Sequence, residues 1–178
     1  MKDRELKPPT PDIIDQVIKV GIGYDIHPLK EGIPLYIGGV RIPFPKGLEG
    51  HSDGDVLLHA ISDALLGALS LPDIGQIFPP SSPEFKGISS SEILRKAGEM
   101  VREKGYSVEG IDSVVVAEEP KISPYKDKMK RKIGEILGIP PDYIGIKGKT
   151  AEGKGEVGRG FAIEAYAVCV LRRMDDKS

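Results

Sequence analysis

The sequence predicts an α+β fold: a mixed four-stranded sheet with three helices on one face and a small inserted hairpin. Three patterns predict it. Ile18, Val20, Ile22 and Tyr24 alternate with Lys19, Gly21, Gly23 and Asp25, the period of two that marks a strand. From Val56 the spacing changes, and Val56, Leu57, Ala60, Ile61, Ala64, Leu65, Ala68 and Leu69 form the buried stripe of a helix. Ile111 to Ala117 is a nearly continuous apolar run, which suits a strand in the middle of a sheet.

The remaining elements follow in chain order. Leu35 to Ile37 and Val40 to Ile42 flank Gly38-Gly39, a hairpin signal. Ser52 or Asp53 caps the helix that begins near Val56. Asp73-Ile74-Gly75 and Phe78-Pro79 read as a turn. Ser89 and Glu92 have capping-box spacing and open a second helix, with Ile93, Leu94, Ala97, Met100 and Val101 inward and Gly105 ending it. Ser123-Pro124 opens a third, with Tyr125, Met129, Ile133, Ile136 and Leu137 inside and Gly138 closing it. Tyr143 to Lys147 and Phe161 to Val170 supply the last strands. Helices on one sheet face leave the other face in need of cover, which a subunit interface provides.

Composition narrows the function classes. The chain has 178 residues and a formal charge of −2, so no basic footprint for nucleic acid is present. A domain of this size buries about 70% of its unfolded surface and needs no disulfides, and the single Cys169 permits neither a disulfide framework nor a four-cysteine zinc site. No apolar run approaches the roughly 18 residues of a membrane-spanning helix. The first residues mix Asp3, Glu5, Asp12 and Asp15 with Lys2, Arg4 and Lys7, unlike a targeting segment. The expected organisation is an amino-terminal extension over 1–17, kept extended around Pro8 and Pro9, a single domain over 18–173, a tail over 174–178, and a cytoplasmic location.

All three histidines, His27, His51 and His59, fall between positions 27 and 59. Asp55, His59 and Asp63 stand at i, i+4 and i+8, a polar row beside the apolar stripe of the first helix. Asp25 and His27 leave their strand on one face. If they meet His59, one carboxylate and two imidazoles leave a fourth position open, the pattern of a catalytic zinc. Asp55 or Asp63 is then placed to accept the second ring N–H of His59. His51-Ser52-Asp53-Gly54-Asp55 enters that helix at its positive end, where an anion is favoured. Lys147-Gly148-Lys149-Thr150-Ala151-Glu152-Gly153-Lys154-Gly155 joins three lysines, a hydroxyl and a carboxylate to three glycines, a composition suited to phosphate without the Walker spacing. Glu152 suits a second, harder cation such as Mg²⁺.

Read together, GYDIHPL, IGGVRIP, KGLEGHSDGDVLLHAISDALLGA, DIGQIFP, PEFKGISS, AEEPKISPY, KGKTAEG and GRG resemble, in order and spacing, the 2-C-methyl-D-erythritol 2,4-cyclodiphosphate synthase family from about Val20 to Leu171. The resemblance implies a phosphorus–oxygen lyase of the non-mevalonate isoprenoid pathway. It cyclises 4-diphosphocytidyl-2-C-methyl-D-erythritol 2-phosphate and expels CMP. The same resemblance implies zinc on Asp25, His27 and His59, and Mg²⁺ or Mn²⁺ on Glu152. It places His51 and Thr150 at the transition state, Ser52 near the 2-phosphate, and Asp73, Ile74 and Gly75 around the diol with Phe78 beside them. Ala117, Pro120, Lys121, Ile122, Ser123 and Lys149 correspond to the cytidine-diphosphate pocket. A homotrimer with active sites between subunits is implied, with Arg159 of GRG facing an axial cavity that in some members holds an isoprenoid diphosphate. Three positions, in two places, depart from the common pattern. Pro80 and Ser82 stand where many members carry aspartates, and Glu156 stands where many carry an apolar residue ahead of GRG. The competing expectations are a zinc-dependent phosphoesterase and a non-catalytic trimeric isoprenoid-diphosphate-binding protein; the intact zinc ligands, Thr150 and Glu152 speak against the second.

Overall fold

Strand β1 (Ile18–Glu31) runs well past the alternation that predicts it, and its last three residues, Leu29 to Glu31, gain a partner the sequence pattern does not show. That partner is β4 (Lys46–Leu48), whose Leu48 pairs with Leu29. The computed structural model describes residues 18–79, 81–85 and 87–174, so the expectations for residues 1–17, Pro80 and the end of the tail lie outside the described residues.

Between β1 and β4 lies the hairpin of β2 (Leu35–Ile37) and β3 (Val40–Ile42). Its turn residues Gly38 and Gly39 take φ of +61° and +72°, the conformation a two-residue turn of this hand demands. Helix α1 (Val56–Ala68) follows, then the single-turn α2 (Ile74–Ile77), α3 (Ser90–Glu103) and β5 (Tyr106–Val116). A 3₁₀ turn at Ser123–Tyr125 precedes α4 (Lys126–Leu137), and β6 (Ile144–Lys149), the single-turn α5 (Gly155–Gly158) and β7 (Ala162–Arg173) complete the chain. The main sheet has five strands in the order β4-β1-β7-β5-β6, not four; β5 and β6 run parallel and every other pair is antiparallel. Three residues are too few for β4 to show a period, so only its pairing with β1 defines it.

Two further corrections are local. Neither Ser52 nor Asp53 caps α1: Asp55 does, its carboxylate accepting Leu58 N–H. Asp73-Ile74-Gly75 is not a plain turn but the start of α2, with Asp73 as its cap. Half of the capping box at Ser89 forms: Ser89 Oγ accepts Glu92 N–H, while the Glu92 carboxylate accepts from Arg95 instead of reaching back to Ser89. Gly138 ends α4 at φ +73°.

Helix α1 is the centre of the core and is buried nearly all round. It lies across β1 and β7, with α3 at its side and the hairpin over its first turns. Gly21 and Gly23 permit the contact with β1. A Cβ on Gly23 would stand 1.9 Å from Ala60 O, and one on Gly21 would stand 2.0 Å from Ala64 O. Helix α4 packs beside α3 and against β6, so the long helices share one sheet face. On the opposite face Ile18, Val20, Ile22, Tyr24 and Ile26 of β1 are exposed, next to Tyr166 and Val168 of β7. Tyr24 pairs with Tyr166 and Ile22 with Val168 across the antiparallel register, so these side chains form one continuous apolar patch. No helix among the described residues is long and apolar enough to cross a membrane.

Candidate active site and metal centre

The close seating of α1 on β1 brings His59 against the side chains of Asp25 and His27. Three atoms converge: Asp25 Oδ2 lies 2.8 Å from His59 Nδ1 and 2.9 Å from His27 Nε2, and the two ring nitrogens are 3.2 Å apart. Zinc bonded tetrahedrally to such atoms at about 2.0–2.2 Å holds them about 3.3–3.6 Å apart, a few tenths of an ångström wider than the hydrogen-bonded cluster, an opening that small side-chain rotations supply. The set therefore fits zinc in donor type and in spacing.

The outer nitrogens fit as well. His27 donates Nδ1–H to Glu49 O at 2.8 Å, which leaves Nε2 for the centre. Strand β4 makes this bond possible, because its pairing with β1 carries Glu49 alongside His27. His59 Nε2 meets Ser90 Oγ at 2.9 Å and Ser52 Oγ at 3.1 Å, which leaves Nδ1 for the centre. A backbone or side-chain partner on the second ring nitrogen is the usual support of a metal-binding histidine.

Charge is distributed accordingly. Burial opposes ionisation of Asp25, but the hydrogen bonds from His27 and His59 outweigh it and hold the carboxyl down at about 2. Burial likewise disfavours a charged His27, and its bond to Asp25 outweighs that, so its pKa is raised. In the metal-free protein the cluster holds a carboxylate ready for a cation.

Asp55 and Asp63 do not support His59. Asp55 is 1% exposed, and its oxygens accept Gly38 N–H at 2.9 Å and Gly39 N–H at 2.7 Å in addition to its capping bond, pinning the hairpin to α1. Burial raises its pKa against these donors. Asp63 accepts Ile74 N–H at 2.9 Å and so positions α2; burial raises its pKa too. Helical spacing puts these carboxylates in one row with His59, but each points to a different neighbour. The residues missed in the sequence are Ser90, buried at the start of α3, and Asp53, which accepts from it. Ser90 is far from His59 in sequence, and its only visible signal is the serine run at the α3 cap.

Around the cluster is a cleft of about 240 Å³ lined by Asp25, His27, His51, Ser52, His59, Ile74, Gly75 and Phe78, with Phe85, Ile88 and Ile93 completing an apolar wall. His51, Ser52, Ile74, Gly75 and Phe78 thus gather where the metal cluster lies. Asp73 does not line it; its carboxylate accepts from Gln76 N–H and Nε2.

A second cleft of about 230 Å³ lies at the ends of β5 and β6, lined by Ala117, Glu118, Lys121, Ile122, Ser123, Gly148, Lys149 and Thr150. It shares no residue with the first. Pro120 is not among its walls, whereas Glu118, unnoticed in the sequence, is. Glu118 Oε1 accepts Ala151 N–H at 2.8 Å and Gly153 N–H at 3.2 Å, clamping the loop that carries Thr150 and Glu152. Thr150 Oγ1 donates to Glu152 Oε1 at 2.6 Å, and Glu152 takes φ of +51°, uncommon for a residue with a side chain. Arg159 donates to Glu156 three residues before it.

Residues 18–172 match the model of the YgbB family. The chain is 53% identical over 155 residues to the 2-C-methyl-D-erythritol 2,4-cyclodiphosphate synthase of Caldicellulosiruptor bescii, an alignment covering 87% of this chain and 99% of that one. The bifunctional IspDF from Campylobacter jejuni superposes with a TM-score of 0.86 at 38% identity, over 90% of this chain and 43% of that longer one. A 2C-methyl-D-erythritol-2,4-cyclodiphosphate synthase in its CDP-bound form superposes with a TM-score of 0.80 at 37% identity, over 86% of this chain and 99% of that one. Sequence and fold agree from the first strand to the last, and the chain belongs to the YgbB family, in which its relatives are 2-C-methyl-D-erythritol 2,4-cyclodiphosphate synthases.

Proposed function

We propose that this chain converts 4-diphosphocytidyl-2-C-methyl-D-erythritol 2-phosphate to 2-C-methyl-D-erythritol 2,4-cyclodiphosphate with release of CMP, as a cytoplasmic lyase of the non-mevalonate isoprenoid pathway. The observation that carries the proposal is the convergence of Asp25, His27 and His59 in one cleft with His51 and Ser52. In the reaction an oxygen of the 2-phosphate bonds to the β-phosphorus. The bond from that phosphorus to the oxygen bridging the α-phosphate breaks, and CMP leaves with the electron pair.

Both reacting groups belong to one molecule, so the protein's task is to fold the substrate into line and neutralise phosphate charge. Asp25, His27 and His59 would hold zinc, which when bound would polarise the β-phosphate and offset its charge. His51 and Ser52, ahead of α1, face the anionic groups, and His51 stabilises the developing charge together with Thr150. Ile74, Gly75 and Phe78 bound the methylerythritol, with Asp73 at its diol. Ala117, Pro120, Lys121, Ile122, Ser123 and Lys149 hold the cytidine diphosphate, and Glu152 would hold Mg²⁺ or Mn²⁺, which would offset phosphate charge. Incubation with the diphosphocytidyl substrate is expected to yield CMP and the cyclic diphosphate. Release of inorganic phosphate in place of CMP would overturn the proposal.

These residues are divided between two clefts of one chain, which favours a site completed by a neighbouring subunit. A homotrimer provides it, with the exposed patch of Ile18, Val20, Ile22, Tyr24 and Tyr166 as the buried surface. Light scattering is expected to give the mass of three chains in dilute solution; an active monomer would refute the assembly.

In such a trimer the pairing of Arg159 with Glu156 gains a consequence. In one exposed protomer the pair contributes little. Gathered around a three-fold axis and partly desolvated, opposite charges at this range stay paired. Glu156 thereby withholds Arg159 from an isoprenoid diphosphate in the axial cavity. Titrated with geranyl diphosphate, the wild type is expected to bind weakly and Glu156→Phe tightly, with CMP release alike in both; tight and equal binding by the two would sink this reading.

A further inference from the structure

Beyond Lys149 the two parallel strands part. Val116 pairs with Lys149 and Ala117 N–H donates to Lys149 O at 2.9 Å, and among the described residues no backbone hydrogen bond joins the two segments past that rung. One segment goes on to Lys121, Ile122 and Ser123 of the second cleft, the other to Thr150 and Glu152. The Glu118 side chain bridges the gap between them. We propose that Glu118 is a positioning residue: by capturing the backbone of Ala151 and Gly153 it fixes where Thr150 stands at the cleft that receives the substrate phosphates. The proposal rests on the reaction assigned above.

Both captured N–H groups reach one oxygen. Glu118 Oε1 accepts Ala151 N–H at 2.8 Å and Gly153 N–H at 3.2 Å. Between them Glu152 turns left-handed at φ +51°, and Gly153 follows at φ +72°. A turn of this kind gathers backbone N–H groups into a concavity that favours an anion. Left-handed backbone is unfavourable for a residue that carries a Cβ, so the carboxylate stabilises a loop shape that Glu152 would not hold unaided. Thr150 Oγ1 donates to Glu152 Oε1 at 2.6 Å, so both side chains move with this loop.

The other end of the loop is fixed by packing. A Cβ on Gly158 would stand 2.4 Å from the carbonyl carbon of Gly153, so the start of α5 lies directly behind it. Among the described residues, Glu118 supplies the only side chain from outside the loop that hydrogen-bonds to residues 150–154. Its second oxygen, Oε2, has no protein partner among the described residues. Reach and one acceptor oxygen, rather than charge, are what the contact requires.

Three substitutions in the full chain separate reach from charge. Glu118→Gln keeps the length and one acceptor oxygen, with the amide nitrogen in place of Oε2. Glu118→Asp keeps the charge but is one methylene short of holding both amides, and Glu118→Ala keeps neither. In the Ala and Asp variants kcat for CMP release is expected to fall about 100-fold, the loss that a misplacement of about 1 Å can cause. In the Gln variant it is expected to fall far less. KM is expected to change little, because Lys121, Ile122 and Ser123 stay in place and Thr150 acts on charge that develops in the transition state. Amide hydrogen exchange at Ala151 and Gly153 is expected to quicken in the Ala and Asp variants and to stay slow in Gln, with similar melting temperatures throughout. Wild-type kcat in Glu118→Ala would overturn the proposal, as would rescue by Asp and not by Gln, a loss confined to KM, or a melting temperature that falls in step with kcat. Should Glu118→Ala fail to fold, the comparison of Gln with Asp decides by itself. A wild type that releases no CMP defeats the assigned reaction separately, and the exchange rates still decide whether Glu118 holds the loop.

Discussion

Replacing His59 by alanine is expected to abolish CMP release while leaving a folded protein. The substitution removes one of three converging donor atoms, the Nδ1 that lies 2.8 Å from Asp25 and 3.2 Å from His27. Two donors on an open cleft hold zinc poorly, and the charge stabilisation a metal gives a phosphoryl group is worth several kcal/mol. At about 1.36 kcal/mol per decade, the loss amounts to roughly three orders of magnitude or more in turnover. The structural cost is smaller. Alanine is the best helix former within a helix, and the hydroxyls of Ser90 and Ser52 lose a partner at a cost of about 1–3 kcal/mol. That lies within the roughly 5–15 kcal/mol of an ordinary domain. The measurement is CMP release, bound zinc per chain and circular dichroism on one sample. Full turnover by metal-free His59→Ala protein would remove the metal from the mechanism.

Gly23→Ala is expected to be the most damaging single-methyl change in the fold. The added Cβ would stand 1.9 Å from Ala60 O, 2.7 Å from Ala64 N and 2.9 Å from Ala60 C. All three are helix backbone, which has no rotamer to turn aside, so α1 must lift from β1. Overpacking against flexible side chains costs about 1–3 kcal/mol, and a backbone clash lies at or above the upper end. His59 directly precedes Ala60, so lifting the helix also carries Nδ1 away from Asp25 and His27. Zinc affinity and thermal stability are therefore expected to fall together. Gly67→Ala is the control: its Cβ would find only Ile22 O at 3.7 Å, and in a helix alanine is favoured over glycine by about 0.5–1 kcal/mol. A Gly23→Ala protein that melts with the wild type would mean that α1 and β1 are not in this contact.

The two substitutions separate parts of the molecule that differ in how they were legible. His59, Asp25 and His27 could be named from the sequence because each lies in a strongly periodic segment. A strand puts residues two apart on one face, and a helix puts residues four apart in one row, so their directions follow from spacing. Asp55 and Asp63 lie in the same row and misled for a physical reason. Asp55 is the cap residue, where the backbone is not yet helical, so its carboxylate reaches the hairpin turn. Asp63 is a turn further on and reaches the start of α2. A row predicts adjacency along the helix and says nothing about what lies beyond it.

The sequence by itself determined the class of the fold, the long helices, the hairpin and the strands with a clear period, because each is encoded in contacts a few residues apart; it also supplied Asp25, His27 and His59 as candidates, though their meeting joins residues more than thirty apart. Only the tertiary structure decided the rest. Strand β4 exists through pairing with β1 and through that pairing brings Glu49 to His27. Ser90 reaches His59 because α3 packs beside α1, and Gly21 and Gly23 matter because a helix backbone lies against them. The separation of Lys121, Lys149 and Thr150 from the metal cleft within one chain is likewise a property of the folded sheet. In each case the deciding contact joins elements distant in sequence, and its direction depends on packing that no local period records.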